Sequence, residues 1–201
     1  RRNIMRVAAG KAKGRPLKGA VSTEVRPTTA RVRAAIFNIL QTGLYQDARI
    51  LDLYAGTGSL GIEALSQGAR WADFVDLDRR QCGVIQANLK TTGFSAQARV
   101  RTGAVLQTLG NLEGPYRVVL LDPPYKLQEL DEVLEAMAST PDLVAQGGMV
   151  VAGHSRHLEL QSSHGSLRRV SQRRYGDNAV DFYLNEVESE GLPFIQEAST
   201  Q

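Results

Sequence analysis

Residues 49–67, RILDLYAGTGSLGIEALSQ, decide the fold. Ile50, Leu51 and Leu53 around a single acid, Asp52, read as a short buried strand over 49–54. Gly56, Gly58 and Gly61 then form a G-x-G-x-x-G turn, and Ser59 to Gln67 suits a helix. Glycines between a strand and a helix let the backbone turn sharply and approach a bound nucleotide. A nicotinamide dinucleotide and S-adenosylmethionine fit such a turn equally well.

Strands and helices keep alternating downstream. ADFVDLD (72–78) reads as a second strand, Arg79 to Lys90 as a helix ending near Gly93, ARVR (98–101) as a third strand and RVVLLD (117–122) as a fourth. Leu130, Val133, Leu134 and Met137 fall at offsets 0, 3, 4 and 7, which predicts a helix over 128–138. GGMVVAGH (147–154), HLELQ (157–161) and VDFYLNEV (180–187) read as three more strands, the last two joined by an arginine-rich segment. The pattern predicts an α/β fold. Its sheet is expected to be mostly parallel and seven-stranded, with helices on both faces and an antiparallel strand near the C-terminus. Ahead of it, RPTTARVRAAIFNILQTG (26–43) predicts a helix capped by Thr28 or Thr29. Val32, Ile36, Ile39 and Leu40 would face the core, with Arg31 and Arg33 pointing elsewhere.

The 201 residues suit one domain that buries roughly 70% of its unfolded surface. No run approaches the ~18–20 apolar residues of a membrane span, and no leader pattern opens the sequence. One cysteine, Cys82, excludes an internal disulfide framework and fits a reducing, cytoplasmic setting. Opening on Arg1-Arg2, the chain is expected to be trimmed or part of a slightly longer product. Ten Lys and Arg within residues 1–33 face one acid, Glu24, giving net +9, so residues 34–201 total −6 against an overall +3. The division expected is a basic arm over 1–25, a domain over 26–187 and an acidic, disordered tail over 188–201. Arg6, Lys11, Lys13, Arg15, Lys18, Arg26, Arg31 and Arg33 would present a polyanion such as RNA with one attractive patch; a solvated tail is the plainer alternative. Arg168, Arg169, Arg173 and Arg174 would widen that patch if folded onto the same side.

Asp52 begins to separate the two cofactors. A carboxylate beside the glycine turn offers nothing to a pyrophosphate but gives an α-ammonium group a charge-assisted hydrogen bond. The competing reading is a cap or loop brace. Asp76, ending the second strand, is placed to accept from ribose hydroxyls. Asp78 is a second cofactor candidate, although at the start of a helix it also suits an N-cap.

RVVLLDPPYK (117–126) ends a core strand with an acid, two prolines and an aromatic. An exocyclic amine that attacks a methyl group becomes tetrahedral and gains positive charge, which preorganised acceptors stabilise. The Asp122 carboxylate and the Pro123 carbonyl are two such acceptors. Pro123 and Pro124 fix the backbone and contribute no N–H, so the loop offers acceptors without donors. Tyr125 would stack on any base.

DPPY at 122–125 is similar to the signature of S-adenosylmethionine-dependent amino-group methyltransferases. Together with AAGKAKGRPLKG (8–19), RPTTARVRAAIFNIL (26–40), LDLYAGTGSLGIEALSQGA (51–69), VDLDR (75–79) and YGDNAVDFY (175–183), it resembles the bacterial RsmD family. The resemblance implies a Rossmann-like class I methyltransferase that uses S-adenosyl-L-methionine to methylate N2 of one guanosine in 16S ribosomal RNA. It implies that Asp52, Tyr54, Ala55, Gly56, Gly58 and Asp76 line the cofactor, that the segment from Arg26 to Thr28 packs beside it, and that Asp122 to Tyr125 receive the amine. Relatives often carry Asp or Asn where Gly103 stands, so the backbone near Ala104 would meet the adenine instead.

His154, His157 and His164 lack a neighbouring ligand set, so no metal is expected. Cys82, Trp71, Ser155 and Ser163 have no catalytic context. The partner expected is 16S rRNA or the small ribosomal subunit particle, approached by a monomer with no membrane attachment. An amino-group methylase acting on DNA or another RNA base is the nearest alternative; a non-catalytic RNA-binding protein is the alternative from another class.

Overall fold

The computed structural model describes residues 5–20, 30–40, 42–124 and 129–186. In chain order the elements are α1 (Ala30–Leu40), α2 (Thr42–Tyr45), β1 (Arg49–Leu53), α3 (Ser59–Ser66), β2 (Trp71–Asp76), α4 (Arg79–Thr92), β3 (Ala98–Thr102), α5 (Val105–Thr108), β4 (Tyr116–Leu121), α6 (Leu130–Ala138), β5 (Val144–Ser155), β6 (Ser163–His164), β7 (Leu167–Tyr175) and β8 (Asn178–Asn185). The strands form one sheet ordered β3-β2-β1-β4-β5-β8-β7-β6. β1 to β5 pair in parallel, whereas β8 runs antiparallel to β5, β7 to β8 and β6 to β7.

The sequence reading is corrected in its strand count, its antiparallel pairings and its late strands. The sheet has eight strands rather than seven, and three antiparallel pairings rather than one antiparallel strand. HLELQ (157–161) is not a strand. Its Leu158 N–H donates to Ser155 O and its Gln161 N–H to Asp131 Oδ1, so these donors are taken outside any ladder. The arginine-rich connection is itself β7.

Strand alternation sorts side chains onto two faces. On one, Ile50, Val118, Leu120 and Val151 pack against Val32, Ile36, Phe37 and Leu40 of α1 and against Ile62, Ile85 and Leu89 of α3 and α4. On the other, Leu51, Leu53, Val119 and Leu121 meet Leu130, Val133, Leu134 and Met137 of α6. Asp52 follows Ile50 and Asp122 follows Leu120 at intervals of two, so both belong to the α1 face. Strand order reverses between β1 and β4, and the crevice beyond their carboxyl ends is where such sheets bind ligands.

Residues 5–20 fold onto this framework. Val7, Ala12 and Leu17 are buried in the α1-side core, while Lys11, Lys13, Arg15 and Lys18 stay exposed. Glu63 of α3 accepts from Ala8 N–H at 2.8 Å and Ala9 N–H at 2.9 Å. Asn88 of α4 accepts from Lys18 N–H at 2.7 Å and donates to Thr57 O at 2.9 Å, tying the segment to the glycine turn. Among the described residues no helix is long and apolar enough to cross a membrane.

Candidate functional site

The glycine turn is built around Asp52. Its Oδ2 accepts from Gly61 N–H at 2.8 Å, so the loop-bracing role is present in the fold. Gly61 has no room for a side chain, because an added Cβ would lie 2.4 Å from the Phe74 ring. Gly56 and Gly58 have φ of 56° and 73°, a left-handed region that favours glycine. Tyr54 also sits at φ 56°, where β1 ends and the turn begins. Burial raises the Asp52 carboxyl well above its ordinary value, the Gly61 N–H opposes that, and the charges of Asp122 and Asp76 add to it.

Asp76 braces the same turn from the end of β2. Its Oδ2 accepts from Gly56 N–H at 2.8 Å and its Oδ1 from Asp78 N–H at 2.9 Å. Burial raises this carboxyl too, against the two N–H donors. Each oxygen keeps a further lone pair for a hydroxyl donor. Asp78 takes the N-cap position of α4, accepting from Arg80 N–H at 2.8 Å and pairing with the Arg80 side chain at 3.0 Å. That bond to Arg80 holds its carboxyl below the ordinary range. Unlike Asp52 and Asp76, it also forms an ion pair among the described residues, with Arg80. Ala55 N–H donates to Val75 O, and Ala104 opens α5 just beyond β3, with Gly103 N–H donating to Asp76 O.

Asp122 follows β4 directly, its N–H reaching Leu53 O of β1 at 3.5 Å. Pro123 is buried and Pro124 exposed. Gly153 of β5 stands beside them, where a Cβ would come within 3.0 Å of Asp122 Oδ1. A side chain there would crowd the carboxylate, a constraint the sequence did not disclose. Thr28, Arg26 and Tyr125 lie outside the described residues.

Three acids thus converge on the carboxyl ends of β1, β2 and β4. Among the described residues neither Asp52 nor Asp76 forms an ion pair. A crevice of like charges suits a cationic ligand, and the lone pairs left on Asp76 suit its ribose hydroxyls. The residues present therefore fit S-adenosylmethionine, which carries a sulfonium and an ammonium group.

Arg33 requires a correction. It is only 1% exposed, with Nε 3.5 Å from Glu63 Oε2 and NH2 donating to Arg6 O at 2.7 Å. A guanidinium held inside the fold is not available to RNA. Burial lowers its pKa and Glu63 opposes that. The signal was the spacing Arg33, Phe37, Leu40, which places the arginine on a buried helix stripe. Arg31 is exposed as expected, and Arg6 is exposed with NH1 on Gly14 O. Of the second arginine cluster, Arg168 pairs with Glu186 at 2.8 Å and Arg169 with Asp181 at 2.9 Å. His154 faces Asp181 at 3.5 Å and His164 faces Asp131 at 3.1 Å, so both buried imidazoles are engaged structurally. Cys82 is buried, which pushes its thiol up and makes it a poor nucleophile.

A family described as conserved hypothetical protein 95 matches residues 5–184. The chain is 40% identical to YlbH of Bacillus subtilis over 183 residues, which cover 89% of this chain and 98% of that one. It is 31% identical over 189 residues to the ribosomal RNA small subunit methyltransferase D of Escherichia coli, covering 88% and 94%. The solved structure of yhhF of Escherichia coli superposes with a TM-score of 0.80 at 27% identity, over 92% of this chain and 99% of that one. Matched along nearly its whole described length and carrying the motifs in place, the chain belongs to this family, the RsmD methyltransferases.

Proposed function

We infer that the protein is an S-adenosylmethionine-dependent methyltransferase that modifies N2 of a guanosine in bacterial 16S rRNA. The observation that carries this reading is the placement of Asp122-Pro123-Pro124 at the end of β4, beside the carboxylates of Asp52 and Asp76. The names of the relatives support the RNA substrate.

When bound, the cofactor supplies an electrophilic methyl group on a sulfonium sulfur. Asp52 and the glycine turn would hold its amino-acid end, and Asp76 its ribose. Asp122 and the Pro123 carbonyl would accept the two hydrogens of the target amine, leaving its lone pair directed at the methyl group. Charge that builds on the nitrogen falls between acceptors fixed beforehand, so no solvent has to reorganise. Catalysis then rests on positioning and electrostatics, without a covalent enzyme intermediate. A base stacked in a helix would have to be unstacked to reach this crevice. Such an enzyme works in the cytoplasm, on free rRNA or on an assembling small-subunit particle.

The test is incubation with methyl-labelled S-adenosylmethionine and undermethylated 16S rRNA or small-subunit particles, followed by nucleoside mapping. N2-methylguanosine at a single site is the expected product. Label in adenine or cytosine, or in DNA alone, would overturn the substrate assignment.

A further inference from the structure

The β7–β8 hairpin overhangs the site. Leu121 pairs with Ala152, which sets Asp122 alongside Gly153; Gly153 pairs with Val180, and two residues further Ser155 pairs with Asn178. Asn178 in turn pairs with Tyr175. The hairpin turn therefore projects about 7 Å past the level of Asp122 at ~3.3 Å per residue, and β7 lies three strand spacings, about 14 Å, to its side.

Two recesses with shared walls lie between this turn and Asp122. An inner apolar gap under α1 is lined by Val32, Asp122, Gly153 and Asn178 among others. An outer groove of about 430 Å³ is walled by Arg31, Val32, Arg174, Tyr175, Asp177 and Asn178. Val32 and Asn178 border both, so the groove opens within one side chain of the gap that Asp122 lines.

The charges in the groove are arranged unevenly. Arg31 and Arg174 are exposed, and neither is paired with an acid among the described residues. Among the described residues the one acid on the wall is Asp177, which already faces Arg156 at 3.6 Å. Along β7, Arg168 and Arg169, farther from the hairpin turn, are held by Glu186 and Asp181. The two arginines at the site end of the strand, Arg173 and Arg174, are thus left open to solvent, and of the two Arg174 walls the groove, while the far ones are neutralised. Tyr175 packs against the α1-side core and fixes the hairpin wall in place.

We propose that this groove is the track for the single-stranded RNA flanking the target nucleotide, with Arg31 and Arg174 each meeting a backbone phosphate. At about 14 Å from the strand of Asp122, Arg174 meets a neighbouring nucleotide rather than the target base. The proposal rests on the rRNA methyltransferase reading and adds the direction in which the strand leaves the site.

The experiment measures binding of an undermethylated rRNA fragment to the full chain across a salt series, alongside methyl transfer. Each of Arg31→Ala and Arg174→Ala is expected to weaken RNA binding several-fold. Each should also reduce the slope of log affinity against log salt by about 0.7, the value for one phosphate on a single strand. Arg168→Ala, which removes an arginine already paired on the same strand, should leave the slope in place. Asp177→Asn should tighten binding, since it removes the carboxylate from the groove wall. A wild type that methylates RNA, together with an unchanged slope in the Arg31→Ala/Arg174→Ala double variant, sinks the groove alone. A wild type that transfers no methyl group to RNA removes the rRNA reading and this one with it.

Discussion

The two halves of the sheet solve their polar problems differently. On the β3-β2-β1 side, the acids at the strand ends are engaged by backbone N–H groups: Asp52 by Gly61, Asp76 by Gly56 and Asp78, and Asp78 by Arg80. On the β4-β5-β8-β7 side, space and exposed charge dominate: a glycine makes room for Asp122, and arginines face solvent at the hairpin. The first half is prebuilt for a small cationic ligand of fixed shape. The second remains open to a long polyanion whose backbone alone is constant.

If that contrast is right, damage to the first half should register as lost stability or cofactor affinity, and damage to the second as lost transfer. The largest effect expected is that of Glu63→Ala, which strands Arg33 without its counter-charge and frees the Ala8 and Ala9 N–H groups. Breaking a buried pair on one side costs about 3–5 kcal/mol, to be read from denaturant unfolding. A companion Arg33→Met/Glu63→Leu variant should recover much of it; equal losses in the two would show that the pair is not the cause.

Next is Asp122→Ala, expected to lower methyl transfer about 10²–10³-fold with the fold intact. Asp122→Asn is the sharper measurement. The amide oxygen still accepts, so appreciable turnover should survive; an Asn variant as inactive as the Ala variant would assign the role to negative charge.

A smaller effect concerns pH. Folding raises the Asp52 carboxyl above its ordinary value, so between the two values the folded chain binds more protons than the unfolded one. The ligand-free protein should therefore lose stability as pH rises through the raised value. Affinity for a cationic cofactor should climb over the same interval, by at most about tenfold per pH unit for one proton. Titration calorimetry in buffers of different ionisation enthalpy should detect a proton released on binding, and a proton-independent affinity would remove Asp52 from the ammonium site.

The smallest effect compares two neighbours. Asp78→Ala should lower the denaturant midpoint slightly, as for a lost N-cap, with little change in cofactor affinity. Asp76→Ala should weaken cofactor binding clearly. Equal cofactor losses would return Asp78 to the site.

What could be read in the sequence was whatever depends on near neighbours. The strands β1, β2 and β4 show as apolar runs because both their faces are covered, and α4 is bounded by its own cap residues, Asp78 and Gly93. The glycine turn and the Asp-Pro-Pro end of β4 were legible for the same reason. β7 was not, because a bulge between Arg169 and Ser171 breaks its alternation and leaves Val170 51% exposed. The helix spacing of Arg33 signalled its burial, but the partner that makes burial tolerable, Glu63, lies thirty residues away in sequence and was hidden. Gly153 gains its meaning only from the pairing that brings β5 beside Asp122.

The anchoring of residues 5–20 has a consequence in time. Their partners, Glu63, Ser66 and Asn88, lie 54 to 70 positions further along the chain. During synthesis at ~5–20 residues per second, Lys18 waits about 4–14 seconds for Asn88 to be made. Through that interval a strongly basic stretch has only its own internal hydrogen bonds, Val7 N–H to Arg15 O and Leu17 N–H to Met5 O among them, and none of its contacts with α3 and α4. In the complete chain, pulsed hydrogen exchange during refolding should show the amides of Ala8, Ala9, Ala12 and Lys18 gaining protection together with α3 and α4, whereas those of Val7 and Leu17, bonded within the segment, are free to gain it earlier; protection of the first group ahead of α3 and α4 would contradict this anchoring.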